Sequence, residues 1–445
     1  MGSVIIRNAR IVNEGTIIEG DVKVINGYFE EIGRIRHEGD TPEIDFEGDY
    51  LIPGIIDDQV HFRQPGLTHK ADIRTESMAA AAGGVTTFME MPNTYPPATT
   101  LELLEDKYSI AEEASIVNYS FFLGASNNNL DEILKADYSN ICGVKIFMGS
   151  STGDLLVDNE TALENIFENC PALIATHCED EATIRQNMEE YIAKYGDNLD
   201  AHFHPLIRSA EGCYLSSSRA INLAKKHNSR LHILHISTGK ETELFGNDVP
   251  LKNKRITAEA CVHHLYFSDR DYTRLGNRIK CNPAIKTQED REAIFKALKS
   301  GKLDLVATDH APHTLDEKNQ PYLKAPSGLP LVQHSLNIML SFVRREKATL
   351  EEVVHWMCHA PAICFRIKGR GYIREGYHAD FVRLNLSANT LVDEESLFYK
   401  CGWSPLEGES LPGKVISTWV NGVKVYDDGI IITNQGKRVE FEVDN

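Results

Sequence analysis

Over the first fifty residues apolar and polar positions alternate with a period of two. Val4-Ile5-Ile6, Ala9, Ile11-Val12, Ile17-Ile18, Val22, Val24-Ile25 and Ile32 mark the pattern, and turn residues such as Asn26-Gly27 interrupt it. That pattern predicts a small antiparallel sheet. From about residue 51 the texture changes. Short β-branched or aromatic runs now alternate with longer helical stretches. The runs are Leu51–Ile56, Val85–Met91, Tyr119–Leu123, Gly143–Phe147, Ala172–Ala175, Leu231–Leu234, Ile256–Glu259 and Leu303–Ala307. The predicted helices include Ile73–Ala82, Leu101–Glu113, Glu179–Lys194, Glu211–His227, Gln288–Lys299 and Leu350–His359. About eight strands separated by helices favour a parallel (β/α)8 barrel, with a doubly wound open sheet as the alternative, because periodicity does not show closure. From about 366 the strand pattern returns, and Asn421-Gly422 is a hairpin signal between Val415–Val420 and Val423–Tyr426. The expected organisation is therefore a barrel over 51–365. Residues 1–50 and 366–445 are expected to form one small β domain built from both chain ends.

Composition narrows the function. The 445 residues carry a net charge of −19, and no Lys/Arg-rich run stands out, which argues against nucleic acid or an anionic membrane surface as partner. No apolar run approaches the ~20 residues of a membrane span. The N-terminus lacks the form of a signal peptide. The nine cysteines are scattered, with no CxxC pair. Free thiols in a reducing cytoplasm are the expectation.

The chemistry collects where strands end. Asp57, Gln59, His61 and Arg63 follow the first apolar run and Asn93 follows the second. Lys145 lies in or at the end of Val144–Phe147, His177 follows Ala172–Ala175, His235 follows Leu231–Leu234, and Asp309 follows Leu303–Ala307. The C-terminal strand ends are where barrel enzymes keep their sites. Imidazole and carboxylate are natural ligands for a catalytic zinc ion. A lone histidine beside a strand is more often structural, but four candidate positions on separate strand ends are hard to explain that way. His232 points to the other side of its strand and is expected in the core. His263 and His264 follow another strand, and either could line the site; His69 and His204 also warrant inspection. A lysine in an apolar strand either snorkels or has a depressed pKa and does chemistry, such as forming a carbamate with CO2. Asp309 suits a general base. Arg63 offers a fork matched to a carboxylate, or a structural salt bridge.

These segments together resemble the cyclic amidohydrolases of the amidohydrolase superfamily, and among them the dihydroorotases most closely. The resemblance covers nearly the whole chain. It is carried by Pro53–Asp57, His61–Gly66, Ala81–Thr87, Met91–Thr94, His177–Asp180, His235–Thr238, Thr308–Lys318, Ala379-Asp380 and Trp419–Gly422. It implies a distorted (β/α)8 TIM-like barrel with a small β-sandwich domain from both termini. It also implies one or two Zn²⁺ held by His61, a possibly carboxylated Lys145, His177, His235 and Asp309. Residues matching Arg63, Asn93 and His313 would hold a substrate carboxylate, and Asn282 would make a further substrate contact. The implied reaction is reversible cyclisation of N-carbamoyl-L-aspartate to dihydroorotate in pyrimidine synthesis, by a cytoplasmic homo-oligomer expected to be a dimer. Allantoinase-like sequences usually lack the histidine that is His313 here, and hydantoinase-like sequences usually lack the contexts of Arg63 and Asn93.

One position departs from the pattern. The family pair is His-x-His, and this chain reads Gln59-Val60-His61. An amide oxygen is a weaker zinc ligand than imidazole, so Gln59 is expected to be at most a weak ligand. Three readings stay open: a two-metal enzyme with one weakened site, a one-metal enzyme, or a catalytically impaired structural partner of aspartate transcarbamoylase. The intact Arg63, Asn93, Asp309 and His313 argue against the last.

Overall fold

The structure is a computed structural model; it describes residues 2–37, 39–149 and 155–443. Eight parallel strands run Ile55–Val60, Val85–Glu90, Asn118–Gly124 with a break at Phe122, Val144–Phe147, Leu173–His177, Arg230–Ile233, Ile256–Cys261 and Leu305–Ala307. Nearly every residue in them is buried, as expected for strands covered on both faces. Neighbours pair in sequence order. Closure is visible at the seam between the first and eighth strands. Val60 and His310 form a parallel bridge, and the His61 N–H donates to the His310 carbonyl at 2.7 Å. The Thr308 hydroxyl and N–H donate to the Asp57 carboxylate at 2.6 and 3.2 Å. The barrel is thus closed, not an open sheet.

The helices start where the side chains dictate. Asp72 caps Ile73–Ala82 by accepting from the Thr75 N–H, and Thr75 reciprocates in a capping box. Thr100, Asp180, Ser209 and Thr287 cap four more helices in the same way at N3. The predicted helix Leu350–His359 runs further. It is α-helical over Leu350–Val354, widens into a π turn over His355–His359, and resumes as Ala360–Phe365. Pro361 has no N–H to give, and its ring would crowd the carbonyl four residues back; the wider turn relieves both.

Two sequence expectations change. The apolar run Leu51–Ile56 is two strands. Tyr50–Pro53 belongs to the terminal sheet and Ile55–Val60 to the barrel. The break falls at Gly54, where a Cβ would meet the Thr86 side chain at 2.0 Å. The terminal sheet is also not wholly antiparallel. Ser3–Asn13 pairs antiparallel with Thr16–Ile25 but parallel with Glu43–Asp45 and Tyr50–Pro53. The chain crosses over after Tyr28–Gly33 and re-enters in the same direction, which hairpin patterning does not reveal. Tyr50–Pro53 then pairs with Phe381–Leu391, joining both chain ends in one nine-stranded sheet among the described residues. That sheet has its own core of Ile6, Ile11, Val22, Phe29, Phe381 and Trp419. The last residues leave it: the Val439 N–H donates to the Tyr119 carbonyl, on the third barrel strand. Among the described residues no helix is long and apolar enough to cross a membrane.

Candidate active site

A cavity of about 90 Å³ lies at the C-terminal ends of the barrel strands. Gln59, His61, Arg63, Asn93, Lys145, His177, His235, Asn282 and Asp309 all line it. Nine of the ten candidate site residues therefore converge from seven separate segments. A larger cavity of about 310 Å³, near Asn337 and Lys414, gathers no comparable set of ionisable groups. Chemistry rather than size singles out the smaller one.

One side of the cavity is built from Lys145, His177 and His235. Lys145 is buried in the fourth strand, and among the described residues its Nζ has no hydrogen-bond partner; the Phe147 ring centroid lies 4.4 Å away. Burial lowers its pKa to about 7, so much of the amine is neutral at neutral pH. His177 Nδ1 and His235 Nε2 face each other at 2.9 Å. Burial lowers the pKa of both, His235 by more, so both rings are neutral. Behind them, Glu179 accepts from His177 Nε2 at 2.9 Å and pairs with Arg208 at 2.5 Å. Burial alone would raise the Glu179 pKa; Arg208 and His177 hold it well below the usual range. A carboxylate on the far nitrogen of an imidazole is the arrangement that orients a metal-binding histidine. Two neutral imidazoles and a deprotonatable amine lining one small cavity are a donor set that suits a zinc ion.

The opposite side is internally satisfied. Gln59 Nε2 donates to Asp309 Oδ1 at 3.1 Å, and His61 Nε2 lies 3.1 Å from the same oxygen. His61 Nδ1 is 2.7 Å from Asn93 Oδ1. Asn93 therefore touches His61 as well as lining the cavity.

Arg63 is buried, and its pKa is lowered by burial to about 10, which leaves it charged at neutral pH. Its Nε donates to the Pro312 carbonyl, and its Nη2 lies 3.1 Å from His313 Nε2. His313 does not line the cavity. It stands behind Arg63, also contacting Lys70 Nζ at 3.1 Å and the Ser327 carbonyl at 3.0 Å. His204 is a positioning residue behind Asn282, with Nε2 3.2 Å from Asn282 Oδ1 and Nδ1 2.9 Å from the Tyr322 hydroxyl. Asp57 is committed to the barrel seam, and the exposed His69 reaches only toward Glu317.

Several features had no sequence signal. Arg63, His235 and Asp309 adopt left-handed backbone conformations, with φ of 69°, 39° and 48°. Such conformations cost a non-glycine residue on the order of 1 kcal/mol each and persist only where the surrounding fold dictates them. Gly328 lines the cavity at φ 137°, where a Cβ would meet the Ala311 carbonyl at 2.4 Å. Glu179, in the motif after His177, could have been read as its orienting partner from spacing.

Two further buried clusters lie off the cavity. His263 and His264, expected as possible lining residues, lie against Cys281 and do not line it. His232 is fully buried, as expected, with Nε2 3.0 Å from Glu259 and 3.4 Å from Asp58. Burial alone would lower its pKa, but the two carboxylates raise it to about 9.

The Amidohydrolase family model matches residues 50–425. The chain belongs to the amidohydrolase family. Its full-length relatives include the dihydroorotase of Methanothermobacter thermautotrophicus, 31% identical over 443 residues, covering 99% of this chain and 97% of that protein. The dihydroorotase of Pyrococcus abyssi is 31% identical over 439 residues, 98% of each chain. Among solved structures, the L-hydantoinase (dihydropyrimidinase) of Arthrobacter aurescens superposes with a TM-score of 0.93 at 27% identity, covering 99% of this chain and all of that one. The amidohydrolase barrel with its β-rich terminal domain is thus shared across enzymes with different substrates.

Proposed function

We propose that this amidohydrolase is a zinc-dependent dihydroorotase, interconverting N-carbamoyl-L-aspartate and (S)-dihydroorotate in pyrimidine synthesis. The observation that carries this reading is the state of Arg63. It is a buried, charged guanidinium at the cavity wall, and among the described residues its hydrogen bonds go to a carbonyl and an imidazole, not to a carboxylate. Asp309, Glu90, Glu317 and Glu76 favour its charge from a distance, but none of them hydrogen-bonds it. A substrate carboxylate would supply that direct partner, in the fork geometry guanidinium prefers. The full-length relatives named dihydroorotase agree with it.

Lys145, His177 and His235 would hold the zinc ion, with Lys145 either as the amine or as its carbamate. When bound, zinc supplies Lewis acidity and makes water a nucleophile near neutral pH. Arg63 binds the exocyclic carboxylate, with His313 Nε2 3.1 Å from its Nη2 to hold the fork in place. Asn282, braced by His204, faces the ring from the other wall. Asp309 takes the proton from the attacking water and returns it to the ring nitrogen as the amide bond opens; cyclisation uses the same transfers in reverse. Its carboxylate is held ready by Gln59 and His61. The nine free cysteines favour a cytoplasmic setting. A homodimer completes the reading and is checked by light scattering.

The test is direct. The zinc-loaded protein should hydrolyse dihydroorotate at neutral to alkaline pH and leave hydantoin and dihydrouracil largely untouched. A hydantoinase reading has one observation in its favour, the close superposition on the Arthrobacter enzyme; preference for uncharged rings would establish it. No turnover of any cyclic amide by the zinc-loaded protein would return the structural-partner reading.

A further inference from the structure

The two sides of the cavity differ in whether their polar atoms already have partners, and Gln59 makes the difference. Its side-chain amide is held at its nitrogen end. Nε2 donates to Asp309 Oδ1 at 3.1 Å, and the Cys261 thiol lies 3.6 Å from Oε1 and equally 3.6 Å from Glu259 Oε1. Turning the amide over would set its oxygen against the Asp309 carboxylate, two acceptors facing each other. The group nearest Asp309 is therefore an N–H, and an N–H cannot ligate a metal.

We propose that Gln59 is a positioning residue that donates a hydrogen bond to Asp309 where a second cation would otherwise sit, so that this enzyme works with a single metal ion held by Lys145, His177 and His235. The proposal rests on the dihydroorotase reading for the role of Asp309, but the ion count does not. Gln59 and His61 share Asp309 Oδ1 and fix the carboxylate's direction. On the other side, Lys145 Nζ has no hydrogen-bond partner among the described residues, and His177 Nδ1 and His235 Nε2 meet at 2.9 Å. One half of the cavity thus offers an amine and two imidazoles, and the other is closed by hydrogen bonds to Asp309. Asp309 stays free of metal and meets the substrate as a hydrogen-bonded carboxylate.

The experiment counts metal in the full-length protein. After zinc reconstitution and dialysis, elemental analysis should find one ion per chain, and Gln59→His should raise this to two. Loaded with manganese(II), the native protein should give the electron paramagnetic resonance spectrum of an isolated ion, and Gln59→His that of a spin-coupled pair. Gln59→Leu, close in size and unable to ligate or donate, should keep its one ion, lower kcat on the order of tenfold and leave KM within about twofold. This variant carries the test if Gln59→His does not fold. Two tightly held ions in the native protein, or loss of the ion in Gln59→Leu, would overturn the proposal. One ion with no turnover of dihydroorotate would defeat the functional reading alone; turnover with two ions would defeat this inference alone.

Discussion

His232 and His235 stand three residues apart at one barrel strand and are held in opposite protonation states. His232 lies between Asp58 and Glu259, and they raise its pKa to about 9 despite complete burial. His235 faces His177, and burial together with that neighbour lowers its pKa well below the ordinary value. Glu259 serves both: one oxygen pairs with the His232 ring and the other accepts the His235 backbone N–H at 3.0 Å. Below the cavity, buried charge is compensated within the protein. At its mouth, lone pairs and a cation are left for something else to meet. The contrast separates the two histidines better than burial does, since both are at most 3% exposed.

The largest effect should come from the mouth. Asp309→Asn keeps the shape but removes the proton acceptor; turnover should fall by three orders of magnitude or more, with zinc content unchanged. Substantial residual kcat would end its assignment as the base. Arg63→Ala should raise KM for dihydroorotate by about a hundredfold, the worth of a buried charge-assisted pair, with a smaller change in kcat. Steady-state kinetics on dihydroorotate and on an uncharged ring would show whether the loss is confined to the carboxylate substrate.

Beneath the mouth the effects should appear in stability. His232→Gln leaves two buried carboxylates without their cation and should cost on the order of 3 kcal/mol, seen in denaturant unfolding, with zinc content retained. The pH dependence carries a sign. A histidine whose folded pKa is raised from 6.5 to about 9 contributes stability fully present below pH 6.5 and lost as pH rises through about 9. Thermal midpoints of the native protein should fall over that window, and the fall should be shallower in His232→Gln. An unchanged slope would show that His232 is not the cation there. The smallest effect should be at the seam: Thr308→Val removes a hydroxyl bonded to Asp57 and should cost about 1 to 2 kcal/mol.

Much of this was legible in advance, because barrel chemistry sits at strand ends and strand ends can be read from apolar runs. His61, Lys145, His177, His235 and Asp309 each follow or close such a run. The two-strand nature of Leu51–Ile56 was not legible, because the break depends on Thr86 pressing against Gly54 from a distant part of the chain. Nor was the position of His313, which the family resemblance groups with Arg63 and which lies 3.1 Å from Arg63 Nη2, outside the cavity lining.

The sequence by itself determined the period of the elements, the ligand types and the single departure at Gln59. Those are local properties of residue order. Tertiary structure alone decided which elements neighbour one another: barrel closure, the parallel strands in the terminal sheet, and the left-handed backbone at Arg63, His235 and Asp309. It also decided what Gln59 means. A glutamine can offer an oxygen or an N–H, and the Asp309 carboxylate, 3.1 Å from Nε2, selects the N–H.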